Sequence, residues 1–256
     1  MNVKNLTPDP CIAEYVERIL VIENYKTVTP FLLPLFANGS PSLLFNSAKG
    51  IIQNSNTSHL TLFGQTIVPE TLQLPEDFTL IAYFFKPYSI SSIFGVMSKE
   101  LTDRPVDLNL LSLKKTKELE DQLLHAGTTK NRIALIDKYI SGLIADAKRD
   151  YLALRYAANT IAGNSSAEVL TLVQKELYMT ERTFQRMFEK NIGLAPNLYR
   201  RICQFNAAFQ QLNNQRFHKL SDIAFENGYA DQSHYIRSFK EFTNLTPKDY
   251  IGLWEQ

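Results

Sequence analysis

The side chains best suited to specific chemistry lie on a short helical segment in the last third of the sequence. Residues 181–191 carry Arg182, Gln185 and Arg186, and spacings of three and four place them on one face of a helix. An arginine guanidinium can donate two parallel hydrogen bonds to O6 and N7 of guanine, and a glutamine amide can pair with N6 and N7 of adenine. This face therefore has the chemistry needed to recognise the edges of DNA bases.

A second segment, residues 232–242, presents a comparable face. Its outward side chains are predicted to be Ser233, Ile236, Arg237 and Lys240. The apolar Ile236 is suited to a thymine methyl group rather than to hydrogen bonding. Lys190 and Lys240 lie nearer the C-terminal ends of their helices, and both are expected to meet phosphates.

The two segments belong to an internal repeat. At an offset of 51, residues 171–199 overlay residues 222–250 without a gap. Thr180 and Asp231 are both residues that cap helix N-termini, and Gly193 and Asn244 both enter readily the left-handed conformation that ends a helix. Identical residues fall at the pairs Tyr178/Tyr229, Arg186/Arg237, Phe188/Phe239, Leu194/Leu245, Pro196/Pro247 and Tyr199/Tyr250, and Leu172 pairs with Ile223.

Each copy predicts a helix, a short turn and a second helix. The inward stripes are predicted to be Phe184, Met187 and Phe188 in the first copy, and Tyr235, Ser238 and Phe239 in the second. Residues 197–213, between the copies, predict a helix of roughly 25 Å that joins them rigidly. A helical bundle with a solvated Arg/Gln face is the alternative, and the recurrence of caps and arginine at equivalent positions argues against it.

The stretches NGYADQSHYIRSFKEFTNLTPKDY and TERTFQRMFEKNIGLAPNLY resemble the two modules of AraC/XylS-type transcriptional regulators. The resemblance covers about residues 151–254. It implies a double helix-turn-helix domain whose base-reading positions are Arg182, Gln185 and Arg186 in the first helix and Gln232, Ser233, Ile236 and Arg237 in the second. Two such helices on one scaffold are expected to enter successive major grooves.

The N-terminal half reads as mainly β. Short apolar runs at residues 43–46, 51–53, 59–67 and 78–86 are separated by turn-forming segments, which favours a small antiparallel barrel or sandwich. Helices are predicted at residues 110–126, 131–148 and 151–162, with Thr129 as a cap. The predicted fold class is α+β: a cupin-like β-barrel sensor domain (1–110), a helical pair for dimerisation or linkage (111–149) and an all-α DNA-binding domain (150–256). The cupin-like barrel and dimerising helices are what the family resemblance implies.

The partners that follow are double-stranded DNA and a second copy of the chain, with a small-molecule effector and RNA polymerase left open. Charge contributes little to this prediction, since the chain has 27 basic and 26 acidic residues, with 12 and 10 of them after residue 150. No apolar run is long enough to span a membrane and no signal peptide is recognised. The cytoplasm is therefore the expected location.

Two alternatives to a ligand-responsive regulator stay open. The first is an enzyme or DNA-repair protein that uses the same domain to reach DNA, with Cys11 as a reactive thiol. However, the four histidines are isolated, Cys11 and Cys203 are far apart, and no nucleotide-binding or hydrolase motif is present, so we predict no enzyme activity, metal or cofactor. The second is a constitutive DNA-binding protein without a ligand.

Overall fold

The computed structural model describes residues 1–26, 29–111, 115–147, 151–164 and 166–253. The predicted helix end at Lys148 and the predicted domain boundary at 149–150 lie outside these ranges. The described chain is of the mixed α+β class, as predicted. Its strands are β1 (Asn2–Leu6), β2 (Val16–Asn24), β3 (Phe31–Leu35), β4 (Ser42–Asn46), β5 (Ile51–Ile52), β6 (Ser55–Asn56), β7 (Leu60–Phe63), β8 (Glu70–Leu74), β9 (Phe78–Phe85) and β10 (Val106–Asp107).

These strands and the described segments between them are called the β-region below, and the strands form two antiparallel sheets. The larger sheet has the order β1-β2-β9-β4-β7-β10, and the smaller has the order β3-β8-β5-β6. Strand β9 lies between β2 and β4, with Tyr83 opposite Ile19 on one side and Leu43 on the other. It is buried on both faces: Leu80 packs towards the smaller sheet and Ile81 towards the helices. This double burial explains the continuous apolar run of its sequence.

Four of the ten strands coincide with the apolar runs identified in the sequence, and the others were not predicted. Strands β1 and β8 are short and alternate polar with apolar residues, and β1 is the edge of its sheet. Strand β3 contains Pro34, which weakens a strand assignment from sequence. Strand β2 was not predicted either, although its apolar residues indicate a strand.

Ten α-helices complete the described chain, together with single turns of 3-10 helix at Ser98–Leu101 and Leu108–Leu111. The helices are α1 (Ile90–Phe94), α2 (Thr116–His125), α3 (Thr129–Asp146), α4 (Leu152–Gly163), α5 (Val169–Glu176), α6 (Glu181–Asn191), α7 (Pro196–Asn213), α8 (Leu220–Glu226), α9 (Gln232–Thr243) and α10 (Pro247–Gly252).

Helix α3 packs on the larger sheet through a buried polar contact. The Tyr83 hydroxyl donates to a carboxylate oxygen of Asp137 at 2.8 Å, and burial of both groups raises both pKa values. The helix begins at Thr129, two residues earlier than predicted, and its cap lies one residue earlier, because Thr128 rather than Thr129 accepts the capping bond from the backbone N–H of Asn131. The predicted start of the preceding helix at Leu110 is also wrong, since that residue lies in a 3-10 turn.

Among the described residues, none of the helices combines the length and apolar character that crossing a membrane requires.

Candidate nucleic-acid interface

Helix α6 begins at a side-chain cap and buries one face. Thr180 accepts a hydrogen bond from the backbone N–H of Thr183 at 3.3 Å, which satisfies one of the free donors of the first turn. Phe184 and Phe188 are completely buried, which confirms the predicted inward stripe. The predicted DNA contacts of this helix are all exposed: Arg182, Gln185, Arg186 and Lys190.

Helix α9 repeats this arrangement. Asp231 accepts a hydrogen bond from the backbone N–H of His234 at 2.7 Å, and Tyr235 and Phe239 are completely buried. The predicted DNA contacts Gln232, Ser233, Arg237 and Lys240 are exposed, and Ile236 is half-buried. Neither helix therefore uses its Arg/Gln face to build the core.

The turns before the two helices differ by one residue, which the gapless sequence overlay missed. Tyr178 and Gly228 occupy the same left-handed position, with φ of 53° and 72°. Each is followed by a residue whose N–H closes the preceding helix, and Ala230 is the extra residue in the second turn. The pairing of Tyr178 with Tyr229 is therefore wrong in structure: Tyr178 is 97% exposed, whereas Tyr229 is buried.

The same shift changes the pairing of the preceding helices. Val173 in α5 and Ile223 in α8 are both completely buried and occupy equivalent positions. Leu172, which the sequence overlay paired with Ile223, is about half exposed. The overlay is correct from the caps onward and displaced by one residue before them.

Helix α7 joins the two helix-turn-helix units, α5–α6 (the first module) and α8–α9 (the second module). Near its start, the Tyr199 ring packs on Phe188 of the first module, with ring centroids 5.6 Å apart. Further along, Phe205 packs on Phe239 of the second module at 5.7 Å. A single helix thus contributes to the cores of both modules, as the predicted rigid connection requires.

An acidic residue on the outer face of α6 connects this face to the β-region. Glu189 accepts a hydrogen bond from the Gln185 side chain at 2.9 Å and forms an ion pair with Lys99 at 3.2 Å. The bonds from Gln185 and then Lys99 lower the pKa of this carboxyl group.

The segment around Lys99 also holds the C-terminal end of α6. Ser98 donates to the backbone carbonyl of Asn191 at 2.5 Å, and Thr102 donates to that of Gly193 at 3.0 Å. Gly193 has a φ of 93°, and a β-carbon there would lie 2.7 Å from the Thr102 hydroxyl and 2.8 Å from the Ser98 carbonyl oxygen. Glycine is therefore required for both the conformation and the close approach.

A second contact joins the β-region to the start of α4. Glu14 accepts hydrogen bonds from the Tyr151 hydroxyl at 2.7 Å and from Arg155 at 2.9 Å. The Tyr151 ring is stacked on Tyr88, with centroids 5.6 Å apart, and its hydroxyl oxygen lies 3.0 Å from that of Tyr15, from which it can accept a hydrogen bond. The helical part is thus fixed to the β-region at both α4 and α6.

A cavity of about 210 Å³ lies between the sheets and α7. Its walls are mostly apolar, and they include Leu33, Leu44, Phe84 and, from α7, Phe209. Arg18 also lines it, with its guanidinium stacked 3.6 Å above the centre of the Phe84 ring. Burial lowers the pKa of Arg18, and within the described ranges no carboxylate forms an ion pair with it. Arg18 was not predicted as a site residue, although an arginine among the apolar residues of β2 could have indicated it.

The features that would favour an enzyme are weak in the described ranges. They contain no cluster of histidine, cysteine and carboxylate side chains that could hold a metal ion. Cys11 is exposed and lies 3.4 Å from the Ser141 hydroxyl. Burial raises the pKa of Cys203 to about 11, which disfavours its thiolate.

Comparisons of the sequence identify two domain families. Residues 173–252 match a family described as a helix-turn-helix domain, and residues 4–107 match one described as a domain of unknown function (DUF6597). No curated protein matches the sequence.

Among solved structures, the fold is similar to that of ToxT from Vibrio cholerae. The crystal structure from strain O395 gives a TM-score of 0.51 at 12% identity, over 92% of this chain and 97% of that one. The unsaturated fatty acid-bound wild-type protein from strain SCE256 gives 0.50 at 13%, over 91% and 93%. The O395 protein bound to (E)-4-(8-methylnaphthalen-1-yl)but-3-enoic acid gives 0.50 at 11%, over 99% of both chains. At these identities the likeness establishes the fold.

Proposed function

We propose that this chain, whose C-terminal part is an AraC-type helix-turn-helix domain preceded by a separate N-terminal domain, is a sequence-specific transcription regulator that reads two successive major grooves. The helix-turn-helix family match and the similar fold support DNA binding and transcription regulation. The finer assignment of α6 and α9 as the two reading helices is our proposal.

One observation carries this proposal. Two capped helices on one scaffold bury their aromatic faces and expose arginine at the same position, Arg186 and Arg237. These guanidinium groups do not stabilise the fold through core packing, because both arginines are exposed. On DNA, each could take a guanine edge in a bidentate pair, and the shared helix α7 would fix the spacing of the two helices.

The test is selection of binding sites from random duplexes with the full chain, followed by footprinting on the selected site. We expect one chain to protect two segments about 10.5 base pairs apart, the separation of successive major grooves on one face of the duplex. Arg104 in the β-region is exposed, and the matched variant Arg104→Ala should keep both segments. Binding without sequence preference, or protection of one segment alone, would contradict the two-groove proposal.

We further propose that the cavity beside α7 receives a small effector with an apolar body and one anionic group. The apolar walls and the half-buried Arg18, which forms no ion pair within the described ranges, support this class of ligand, since a guanidinium removed from water gains most from an anionic partner. Two of the similar ToxT structures hold an unsaturated fatty acid and a naphthalenyl-butenoic acid, both of which are carboxylic acids with an apolar body.

Decanoic acid should raise the melting temperature of the wild-type chain, and Arg18→Gln should remove most of that increase. A ligand at a hundredfold excess over its Kd stabilises the folded state by about 2.7 kcal/mol, which corresponds to several degrees in a chain of this size. Differential scanning calorimetry measures the increase directly. Decanol, which lacks the carboxylate, should give a smaller increase.

Arg104→Gln is the matched control for this experiment, because Arg104 is exposed and does not line the cavity. It should respond to decanoic acid as the wild type does. An equal shift in Arg18→Gln would show that the acid binds elsewhere. No shift in the wild type would favour a constitutive DNA-binding protein.

We also propose a homodimer formed along α3. A groove between α1, α2 and α3 is lined by Leu135, Tyr139 and Leu143, and these partly exposed side chains offer an apolar surface to a second copy. In this proposal residues 1–110 sense the effector, residues 111–149 pair the copies, and residues 150–256 bind DNA. The protein has no catalytic role, and RNA polymerase is its further partner at promoters.

A further inference from the structure

Tyr178 has a conformation and an exposure that folding does not explain. It ends the turn after α5 with a φ of 53°, in the position where the second module has Gly228. Its side chain is 97% exposed, more than any other large apolar or aromatic side chain of the described residues. The left-handed conformation is unfavourable for a residue with a β-carbon, and no core contact compensates for it.

The backbone of this turn does not need tyrosine either. The N–H of Tyr178 bonds to the carbonyl of Lys175 at 3.1 Å, and the N–H of Met179 bonds to that of Gln174 at 3.0 Å. Any residue that tolerates the left-handed region can form both bonds, as Gly228 does in the second module with bonds of the same pattern. In the described part of the chain the Tyr178 hydroxyl has no hydrogen-bond partner.

The position of Tyr178 suggests what it contacts. It precedes the Thr180 cap by two residues, and the first turns of α6 carry Arg182 and Gln185. A helix that enters the major groove by its N-terminal end brings the preceding turn against the flanking sugar–phosphate backbone. Tyrosine hydroxyls are among the regular donors to phosphate oxygens, and the exposed Lys175 adds a cation in the last turn of α5.

We propose that Tyr178 contacts the DNA backbone beside the groove read by α6, donating its hydroxyl to a phosphate and packing its ring on the adjacent sugar. The proposal rests on the DNA-binding function proposed above. It makes the two modules unequal, because Gly228 has no side chain with which to form the corresponding contact. The first module therefore holds the duplex more firmly at the entrance of its reading helix.

The test compares Tyr178→Gly and Tyr178→Phe with the wild-type chain on its selected site and on single-base variants of that site. Tyr178→Gly should weaken binding about tenfold to all these duplexes alike, because backbone contacts carry no direct sequence information. Tyr178→Phe should weaken binding about half as much as Tyr178→Gly does, on a logarithmic scale of affinity. The slope of affinity against salt should not change, because tyrosine is uncharged and releases no counterion.

Gln215 provides a matched control. It is exposed, follows α7 with a φ of 54°, and makes the same pattern of backbone bonds. Tyr178→Gly and Gln215→Gly should both leave the melting temperature unchanged or slightly raised, but only the first should weaken DNA binding. If Tyr178→Gly folds and binds DNA within twofold of the wild type, the proposal is wrong. This holds even if the variant loses transcriptional activity, because that loss would then indicate a contact between Tyr178 and a protein partner. Absence of sequence preference in the wild type would instead contradict the proposed function itself.

Discussion

Replacement of Phe239 by alanine should lower the free energy of unfolding of the helix-turn-helix domain by about 3–5 kcal/mol. Phe239 is completely buried, and its ring contacts Phe205, Phe209, Tyr235 and Tyr250. Removing it would leave a cavity where four rings meet, which the rigid packing of α7 prevents from closing. Urea unfolding followed by circular dichroism at 222 nm measures the loss.

Phe225 is the matched control, because it is the same residue type on the neighbouring helix α8 but is 66% exposed. Phe225→Ala should change the stability by less than about 0.5 kcal/mol, as is usual for surface positions. Equal effects of the two substitutions would mean that α9 packs with its other face inward, and the assignment of Arg237 to the reading face would be lost with it.

Arg186→Ala should reduce binding to the selected site by about 1–3 kcal/mol and abolish discrimination at one base pair. The reason is the exposed position of Arg186 on α6, from which a bidentate pair with guanine is geometrically available. Titration of the selected duplex and its single-base variants measures both effects. Arg237→Ala should relax discrimination at a second base pair. Its loss of binding free energy should be smaller than that of Arg186→Ala, because Ile236 makes the reading face of α9 less polar.

Lys190→Ala separates base reading from phosphate binding on the same helix. Lys190 lies in the last turn of α6 and is exposed, so its removal should weaken binding to every duplex alike and reduce the salt slope by about 1. If Arg186→Ala behaved in this way instead, Arg186 would be a phosphate contact and the orientation proposed for α6 would be wrong.

The reading helices could be predicted from sequence because local patterns define them. The bounds of α6 and its buried pair Phe184 and Phe188 follow from a cap and a period of 3.6 residues. Before the caps Thr180 and Asp231, the alignment of the two repeats from sequence alone is displaced by one residue. Tyr178 and Tyr229 are identical residues, yet one inserted residue gives them opposite environments, and identity alone does not reveal the backbone angle that each must adopt.

The contacts between the β-region and the helices could not be predicted, because they join segments that are distant in the sequence. Lys99 meets Glu189 across 90 residues, and Arg18 shares a cavity with Phe209. No periodicity records such pairs. Strands β3, β6 and β8 of the smaller sheet were not predicted for a related reason, because such short strands are stabilised mainly by their neighbours in the sheet.

Phe209 connects the proposed effector site to the proposed DNA site. This ring lines the cavity and also packs on Phe239, on the buried face of α9, with ring centroids 5.9 Å apart. A ligand that shifts Phe209 would therefore alter the support of the second reading helix. Coupling between two binding sites is reciprocal, so the factor by which an effector changes the affinity for operator DNA equals the factor by which operator DNA changes the affinity for the effector. Promoter occupancy would then determine how strongly each bound copy retains its ligand.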